Sequence, residues 1–170
     1  FSRRRRHTRC QIQSRGLGDV YKRQMQVLLA RRNAEDDRAG RLALHELLPR
    51  VDVLSLHCPL TETTRGLIGA DELALMKKDA VLINTARGGL VDEAALVNAL
   101  ENNSIGGAGL DVLEIEPPPA HYPVLQAALP NLVITPHTAW ASVESRQRLL
   151  DEIALNIEAF KAGQSRNRVV

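Results

Sequence analysis

Three side chains suited to acid–base catalysis and anion binding, Arg87, Glu116 and His137, follow the ends of predicted strands. In an open parallel sheet, the carboxyl ends of the strands border one crevice, and ligands bind there. Arginine can hold a carboxylate and a carbonyl oxygen, histidine can donate a proton, and a nearby carboxylate keeps the histidine protonated. Together they suit chemistry on an α-keto acid. Taken singly, Arg87 can be a solvated loop residue and His137 a structural histidine.

The segment that carries Arg87 follows the apolar run 80–83 and leads into a helix predicted over 92–101. A cation at the end of a buried strand is positioned to hold an anion. Gly88 and Gly89 allow the backbone to pass close to a bound ligand.

Strand patterns alternate with helix patterns along the chain, as in a parallel sheet that is wrapped on both faces. Apolar and β-branched runs predict strands at 25–30, 51–57, 80–83, 105–111 and 132–135. Helical signals predict helices at 42–48, at 70–76, at 92–101 with Asp92 as N-cap, and after Ser142. The last helix has an apolar stripe formed by Leu149, Leu150, Ile153, Ile157 and Phe160. The predicted fold class is α/β, with a doubly wound parallel sheet and a long C-terminal helix.

The composition, 44% hydrophobic and 25% charged, is that of a soluble globular protein. No apolar run approaches the roughly 18 residues of a membrane span, so a membrane is not an expected partner. Cys10 and Cys58 have no metal-binding spacing, which predicts no metal site and favours the reducing cytoplasm.

Residues 1–24 differ from the rest, because they carry a net charge of +7 whereas the remaining chain carries −5. They lack apolar periodicity, and we expect a non-native or disordered leader rather than an RNA-binding arm or a transit peptide. Gly16 and Gly18 resemble the start of a dinucleotide fingerprint, but Tyr21 occupies the third glycine position and no strand pattern precedes them. The acidic body has no clustered basic face, so nucleic acid is not an expected partner.

From residue 25 onward the chain resembles the D-isomer-specific 2-hydroxyacid dehydrogenases. The resemblance is carried by Ser55-Leu56-His57-Cys58-Pro59-Leu60-Thr61, by Leu82-Ile83-Asn84-Thr85-Ala86-Arg87-Gly88-Gly89-Leu90-Val91-Asp92, by Gly109-Leu110-Asp111-Val112 with Glu116-Pro117, and by Thr135-Pro136-His137. It implies a Rossmann-like domain and hydride transfer between NAD(P)H and a small 2-keto acid.

The same resemblance implies a role for each matching residue. His137 would be the proton donor, Glu116 its partner, and Arg87 the residue that binds substrate and polarises its carbonyl. Asp111 would contact the nicotinamide side of the cofactor. Further cofactor contacts would come from Arg31, Arg32, His57, Pro59, Thr64, Thr85, Ala86, Arg87 and His137.

Two details refine these expectations. Arg31 and Arg32 stand where NAD-dependent enzymes carry an acidic residue, which favours NADP over NAD unless both are merely solvated. The segment 137–142 resembles the glycerate dehydrogenase and hydroxypyruvate or glyoxylate reductase branch, so Trp140 is either a substrate contact or a packed aromatic residue. Phosphoglycerate and D-lactate dehydrogenases are the alternatives within the family.

Family members carry a substrate domain, a first strand and a glycine-rich loop ahead of residue 25. We therefore expect a partial sheet that lacks its first strand, with a gap between the strands at 25–30 and 80–83. The expected organisation is a leader at 1–24, an incomplete dinucleotide-binding domain at 25–140, and at 141–170 a helix returning toward the substrate domain. Such a fragment of a homodimeric oxidoreductase would be inactive alone. The alternative from another class is a dinucleotide-sensing co-repressor on the same scaffold.

Overall fold

The computed structural model describes residues 8–11, 26–31 and 36–168. The chain divides into two compact units, Phe1–Pro136 and His137–Val170. This boundary lies four residues before the predicted one at 140/141.

The first unit is built on a parallel sheet. Its strands are β1 (Thr8–Gln11), β2 (Gln26–Ala30), β3 (Arg41–Leu42), β4 (Val53–Leu56), β5 (Val81–Asn84), β6 (Gly107–Leu110) and β7 (Leu132–Ile134). They lie in the order β3-β2-β1-β4-β5-β6-β7, and every neighbouring pair is parallel. The predicted α/β fold class is confirmed.

The predicted absence of a first strand is wrong. Strand β1 pairs with β2 on one side, with Cys10 opposite Leu28, and with β4 on the other, with Cys10 opposite Leu54. The sequence Thr8–Gln11 has no apolar run, but a parallel strand needs only its backbone groups to complete a ladder.

The predicted gap between the strands at 25–30 and 80–83 is also wrong, because β1 and β4 lie between β2 and β5 and pair continuously with them. The two-residue strand Arg41–Leu42, which the sequence did not predict, takes the outer place beside β2. Residues 12–25, which include the glycines of the rejected fingerprint, lie outside the described residues.

Helices of the first unit are α1 (Leu44–Leu47), α2 (Ala70–Leu75), α3 (Glu93–Glu101) and the short α4 (Pro123–Gln126), with 3-10 turns at Leu48–Arg50 and Gly88–Leu90. Asp92 caps α3 as predicted, because its carboxylate accepts the N–H of Ala95 at 3.0 Å. The sheet and helices enclose a core of fully buried side chains that includes Leu54, Leu56, Leu82, Leu96 and Leu100. Burial on both faces explains why β4 and β5 read as nearly continuous apolar runs.

The second unit consists mainly of helix α5 (Val143–Lys161). Ser142 is its N-cap, and its hydroxyl accepts the N–H of Ser145 at 3.1 Å. Within this unit the predicted apolar stripe is exposed: Leu150 is 62% and Phe160 85% accessible. Among the described residues, no helix has the length and apolar character of a membrane span.

Candidate active site

The predicted site residues of the first unit follow the carboxyl ends of neighbouring strands. His57, Pro59 and Thr64 follow β4; Thr85, Ala86 and Arg87 follow β5; Asp111 and Glu116 follow β6. Since β4, β5 and β6 are adjacent and parallel, these segments lie along one edge of the sheet. The described part of the chain has no cluster of His, Cys, Asp or Glu suited to a metal ion.

The segment after β4 is fixed by its own polar groups. Ser55, buried at the end of the strand, places its hydroxyl 2.8 Å from Nε2 of His57. The hydroxyl of Thr64 donates to the carbonyl of Pro59 at 2.8 Å and accepts the N–H of Thr61 at 2.8 Å. Burial raises the pKa of the Cys58 thiol, so the neutral form is favoured and a thiolate nucleophile is not expected.

The segment after β5 is organised by Asn84. This side chain is fully buried. Its amide nitrogen donates to the carbonyl of Arg87 at 2.8 Å, and its amide oxygen accepts the N–H of Ala86 at 3.1 Å. The guanidinium of Arg87 is exposed and donates from Nη1 to the carbonyl of Ala86 at 2.6 Å. Arg87 therefore projects from a short turn whose peptide groups are hydrogen-bonded by the side chain of Asn84.

Gly88 brings the segments after β5 and β6 into contact. A Cβ atom at this position would lie 1.9 Å from the carbonyl carbon of Leu113 and 2.3 Å from the nitrogen of Glu114. Only a residue without a side chain allows this approach. The contact explains why a glycine follows Arg87 without any need for a positive φ angle.

The segment that carries Glu116 is tied to its surroundings by several polar contacts. Glu116 accepts the N–H of Leu113 at 2.8 Å through Oε1, and Glu93 on α3 accepts the N–H of Glu114 at 2.8 Å. The Glu116–Pro117 peptide bond is cis. The fixed backbone gives Glu116 a defined position at the edge of the sheet.

Tyr122 adds a further tie between this segment and α3. Burial, together with a hydrogen bond to Glu93, raises the pKa of Tyr122 to about 12. The hydroxyl is therefore a neutral donor at ordinary pH, and it supports the same carboxylate that holds Glu114.

Asp111 is a buried carboxylate at the end of β6, 4% accessible. Its N–H donates to the carbonyl of Asn84 at 2.9 Å, and the hydroxyl of Thr135 donates to its Oδ1. A buried carboxylate is costly unless it is hydrogen-bonded, and the hydroxyl of Thr135 supplies such a bond; the cofactor contact of Asp111 stays a prediction.

Several basic side chains lie near the carboxyl end of β2. Arg31 is exposed directly after the strand, and Nη1 of Arg41 donates to the carbonyl of Ala30 at 3.0 Å. The buried Asp36 is bound by Arg38 through two contacts of 2.6 and 2.7 Å, which raises the pKa of Arg38 further. Arg32, also predicted to contact the cofactor, lies outside the described residues.

His137 and Trp140 belong to the second unit. His137 is exposed and has a φ of 52°, a left-handed conformation that is uncommon for residues other than glycine. Trp140 is exposed, with 56% of its surface accessible. The pairing of His137 with Glu116 and Arg87 stays a prediction.

The sequence alone indicated no role for Ser55, Asn84 and Thr135, which bond predicted site residues, or for Glu93, which accepts the N–H of Glu114. A signal existed at two of them, because Ser55 and Asn84 are polar residues within apolar strands. Glu93 and Thr135 carry no such signal, since their partners lie far away along the chain.

The chain is similar to one protein family over most of its length. The model of the D-isomer specific 2-hydroxyacid dehydrogenase NAD binding domain matches residues 19–139. A glycerate dehydrogenase of Methylorubrum extorquens is 53% identical over 130 residues, which are 76% of this chain and 41% of that protein. A glyoxylate reductase of Korarchaeum cryptofilum is 49% identical over 121 residues, 71% of this chain and 36% of that protein. The chain thus spans less than half the length of these relatives.

Solved structures give the same picture. An acyclic imino acid reductase in complex with NADPH and D-Arg has a TM-score of 0.83 at 35% identity, covering 98% of this chain and 54% of that one. A D-lactate dehydrogenase with NAD+ from Lactobacillus jensenii has a TM-score of 0.80 at 33% identity, covering 96% and 55%.

Proposed function

Because the chain belongs to the D-isomer specific 2-hydroxyacid dehydrogenases, we propose that it carries the cofactor-binding and catalytic part of a reductase for a small 2-keto acid. Hydroxypyruvate and glyoxylate are the proposed substrates, with D-glycerate and glycolate as products. The names of two similar proteins, a glycerate dehydrogenase and a glyoxylate reductase, support this choice. The observation that carries the proposal is the fixed turn that presents Arg87 at the carboxyl edge of the sheet.

In the proposed reaction, Arg87 binds the carboxylate of the keto acid and polarises its carbonyl oxygen. A guanidinium suits this task because its donors form a rigid fork that matches a carboxylate. His137 donates the proton to the carbonyl oxygen, and Glu116 favours the protonated form of His137.

The residues at the edge of the sheet suit a nicotinamide dinucleotide. Asp111 offers a buried acceptor to an amide group, and Thr85 is an exposed hydroxyl-bearing residue beside it in the adjacent segment. When bound, the reduced cofactor supplies the hydride. The proposed assembly of the intact enzyme is a homodimer.

We favour NADPH over NADH as the cofactor because of the basic side chains at the carboxyl end of β2. The carboxylate of Asp36 is engaged by Arg38 and lies 3.5 Å from Arg41, and Arg31 is exposed directly after the strand. An exposed arginine suits the 2′-phosphate of NADP. Replacing Arg31 by Ala is expected to raise the KM for NADPH and to leave the KM for NADH nearly unchanged.

The test of the function uses residues 26–170 in place of the matching segment of the Methylorubrum extorquens glycerate dehydrogenase. The chimaera is expected to oxidise NADPH with hydroxypyruvate and glyoxylate. In it, Arg87→Ala is expected to lower kcat/KM by about 10²–10³-fold, as for loss of one preorganised donor.

Arg65→Ala is the matched control, because Arg65 is also an exposed loop arginine but pairs with Glu114, itself half exposed, at 3.1 Å. An exposed ion pair contributes little, so the control is expected to change kcat/KM by less than about fivefold. Equal effects of the two substitutions would refute the role of Arg87.

A further inference from the structure

Asn84 is a fully buried polar side chain directly beneath the turn that carries Arg87. Its backbone is already used by the sheet, since Asn84 is in register with Leu56 on β4 and Leu110 on β6. The side chain is therefore not needed to complete the ladder. An apolar residue would be the less costly choice at a buried strand position.

The carboxamide of Asn84 satisfies two peptide groups at once. It donates to the carbonyl of Arg87 at 2.8 Å and accepts the N–H of Ala86 at 3.1 Å. Both bonds can be made from one position only by a side chain whose planar terminal group carries a donor and an acceptor, as a carboxamide does. Loss of the carboxamide would remove the acceptor that the N–H of Ala86 uses, and would leave the carbonyl of Arg87 with only the weaker bond from the N–H of Leu90 at 3.3 Å.

The effect extends to the guanidinium, because Nη1 of Arg87 donates to the carbonyl of Ala86 at 2.6 Å. This carbonyl belongs to the peptide between Ala86 and Arg87. That peptide lies between the N–H of Ala86 and the carbonyl of Arg87, the two groups that Asn84 hydrogen-bonds. Gly88, which packs against the Leu113 backbone, fixes the next residue of the turn.

We propose that Asn84 is a positioning residue, whose carboxamide sets the orientation in which Arg87 meets the carboxylate of the keto acid. The proposal rests on the proposed function for its substrate, and on the contacts of Asn84 for the positioning. Asn84 acts through Arg87 and does not touch the substrate.

The experiment uses the 170-residue chain labelled with ¹⁵N-arginine. The Nε signal of Arg87 is assigned by its loss in Arg87→Lys, and the signal of Arg65 serves as the control for folding. Asn84→Asp keeps the shape of the side chain but, when ionised, cannot donate to the carbonyl of Arg87. The Arg87 signal is expected to move to the position of a free arginine, whereas the Arg65 signal stays unchanged.

Acidification provides the discriminating readout, because a protonated Asp at position 84 regains both a donor and an acceptor. The Arg87 signal of Asn84→Asp is expected to return toward the wild-type position as pH falls, and that of Asn84→Ala is not. The wild type at each pH is the reference, since it carries the same ionisable side chains on the flanking segments, among them His57, Asp111 and Glu116. If Asn84→Asp loses the Arg65 signal as well, Asn84→Ser, which can make one of the two bonds, is used and is expected to shift Arg87 partly.

Hydroxypyruvate is then titrated into the chimaera carrying each substitution, because the 170-residue chain spans less than half the length of its relatives. Asn84→Asp is expected to weaken its binding at least tenfold at neutral pH, and to have no further effect when Arg87 is already Ala. An unchanged Arg87 signal in Asn84→Asp, or equal effects with and without Arg87, would overturn the proposal. If the unsubstituted chimaera does not bind hydroxypyruvate, the proposed function is contradicted, and the Arg87 signal alone decides the positioning role.

Discussion

Replacing Gly88 by Ala tests the contact on which the two central loops of the site depend. The added Cβ would lie 1.9 Å from the carbonyl carbon of Leu113, 2.1 Å from its oxygen and 2.3 Å from the nitrogen of Glu114. Carbon atoms in contact are about 3.5 Å apart, so the backbone at Leu113 would have to withdraw by about 1.6 Å. All three atoms are backbone, and no side chain can rotate away.

Overpacking of this kind costs about 1–3 kcal/mol, and the backbone nature of the clash favours the upper value. For a chain of this size, a loss of about 3 kcal/mol lowers Tm by about 6–12 °C. The withdrawal also moves the segment that carries Glu116 away from the Arg87 turn. We therefore expect kcat/KM of the chimaera to fall even at temperatures where the variant stays folded.

Urea unfolding and thermal melting of Gly88→Ala measure the loss. Gly69→Ala is the control, because a Cβ there meets nothing closer than Oε2 of Glu72 at 3.4 Å, and its φ of −105° suits any residue. The control is expected to change the free energy of unfolding by less than about 1 kcal/mol. Equal Tm values for the two variants would refute the inferred contact between the loops.

Three further substitutions test individual contacts by urea unfolding. Tyr122→Phe removes a hydroxyl whose pKa is raised from 10.0 to about 12 by burial and by Glu93. The hydroxyl therefore stabilises the fold by about 1 kcal/mol below pH 10, and this stabilisation disappears as pH rises through 12. A constant difference in stability between the variant and the wild type across that range would contradict this. Although burial acts to raise the pKa of Glu72, hydrogen bonds that include one from His45 lower it, so its stabilisation is present above pH 4.5 and lost as pH falls further. Glu72→Gln is therefore expected to be destabilised at pH 7 and to match the wild type in acid, and equal stability at pH 7 would count against the pair. Asp92→Ala is expected to cost about 1 kcal/mol as α3 loses its cap, and no loss would exclude that capping bond.

Elements whose residues form a clear local pattern were predictable from the sequence. Strands β4 and β5 combine β-branched and apolar residues, and Asp92 and Ser142 stand at the starts of α3 and α5, where caps are favoured. The structure has all four.

Strands β1 and β3 were not predictable, because Thr8–Gln11 and Arg41–Leu42 contain no run that distinguishes a strand from a loop. Their place is set by pairing with β2 and β4 or with β2 alone, an interaction between distant parts of the chain. For the same reason the sequence placed the strand at 80–83 at the far side of the expected gap, whereas β4 is the strand that lies beside β1.

At the candidate site, sequence motifs identified the residues that present chemistry but not the ones that hold them. The polar character of Asn84 is visible in the sequence, whereas its two hydrogen bonds to the Arg87 turn require the fold. The contact of Gly88 with Leu113 joins segments that follow different strands. Such long-range contacts have no local pattern in the sequence.

We propose that Arg87 and His137 serve the reduction of a 2-keto acid to a D-2-hydroxy acid. The most direct measurement is the configuration of the glycerate that the chimaera forms from hydroxypyruvate and NADPH. We expect D-glycerate alone, with formation reduced about 10²–10³-fold by Arg87→Ala and hardly changed by Arg65→Ala. Formation of L-glycerate, or turnover that does not depend on Arg87, would contradict it.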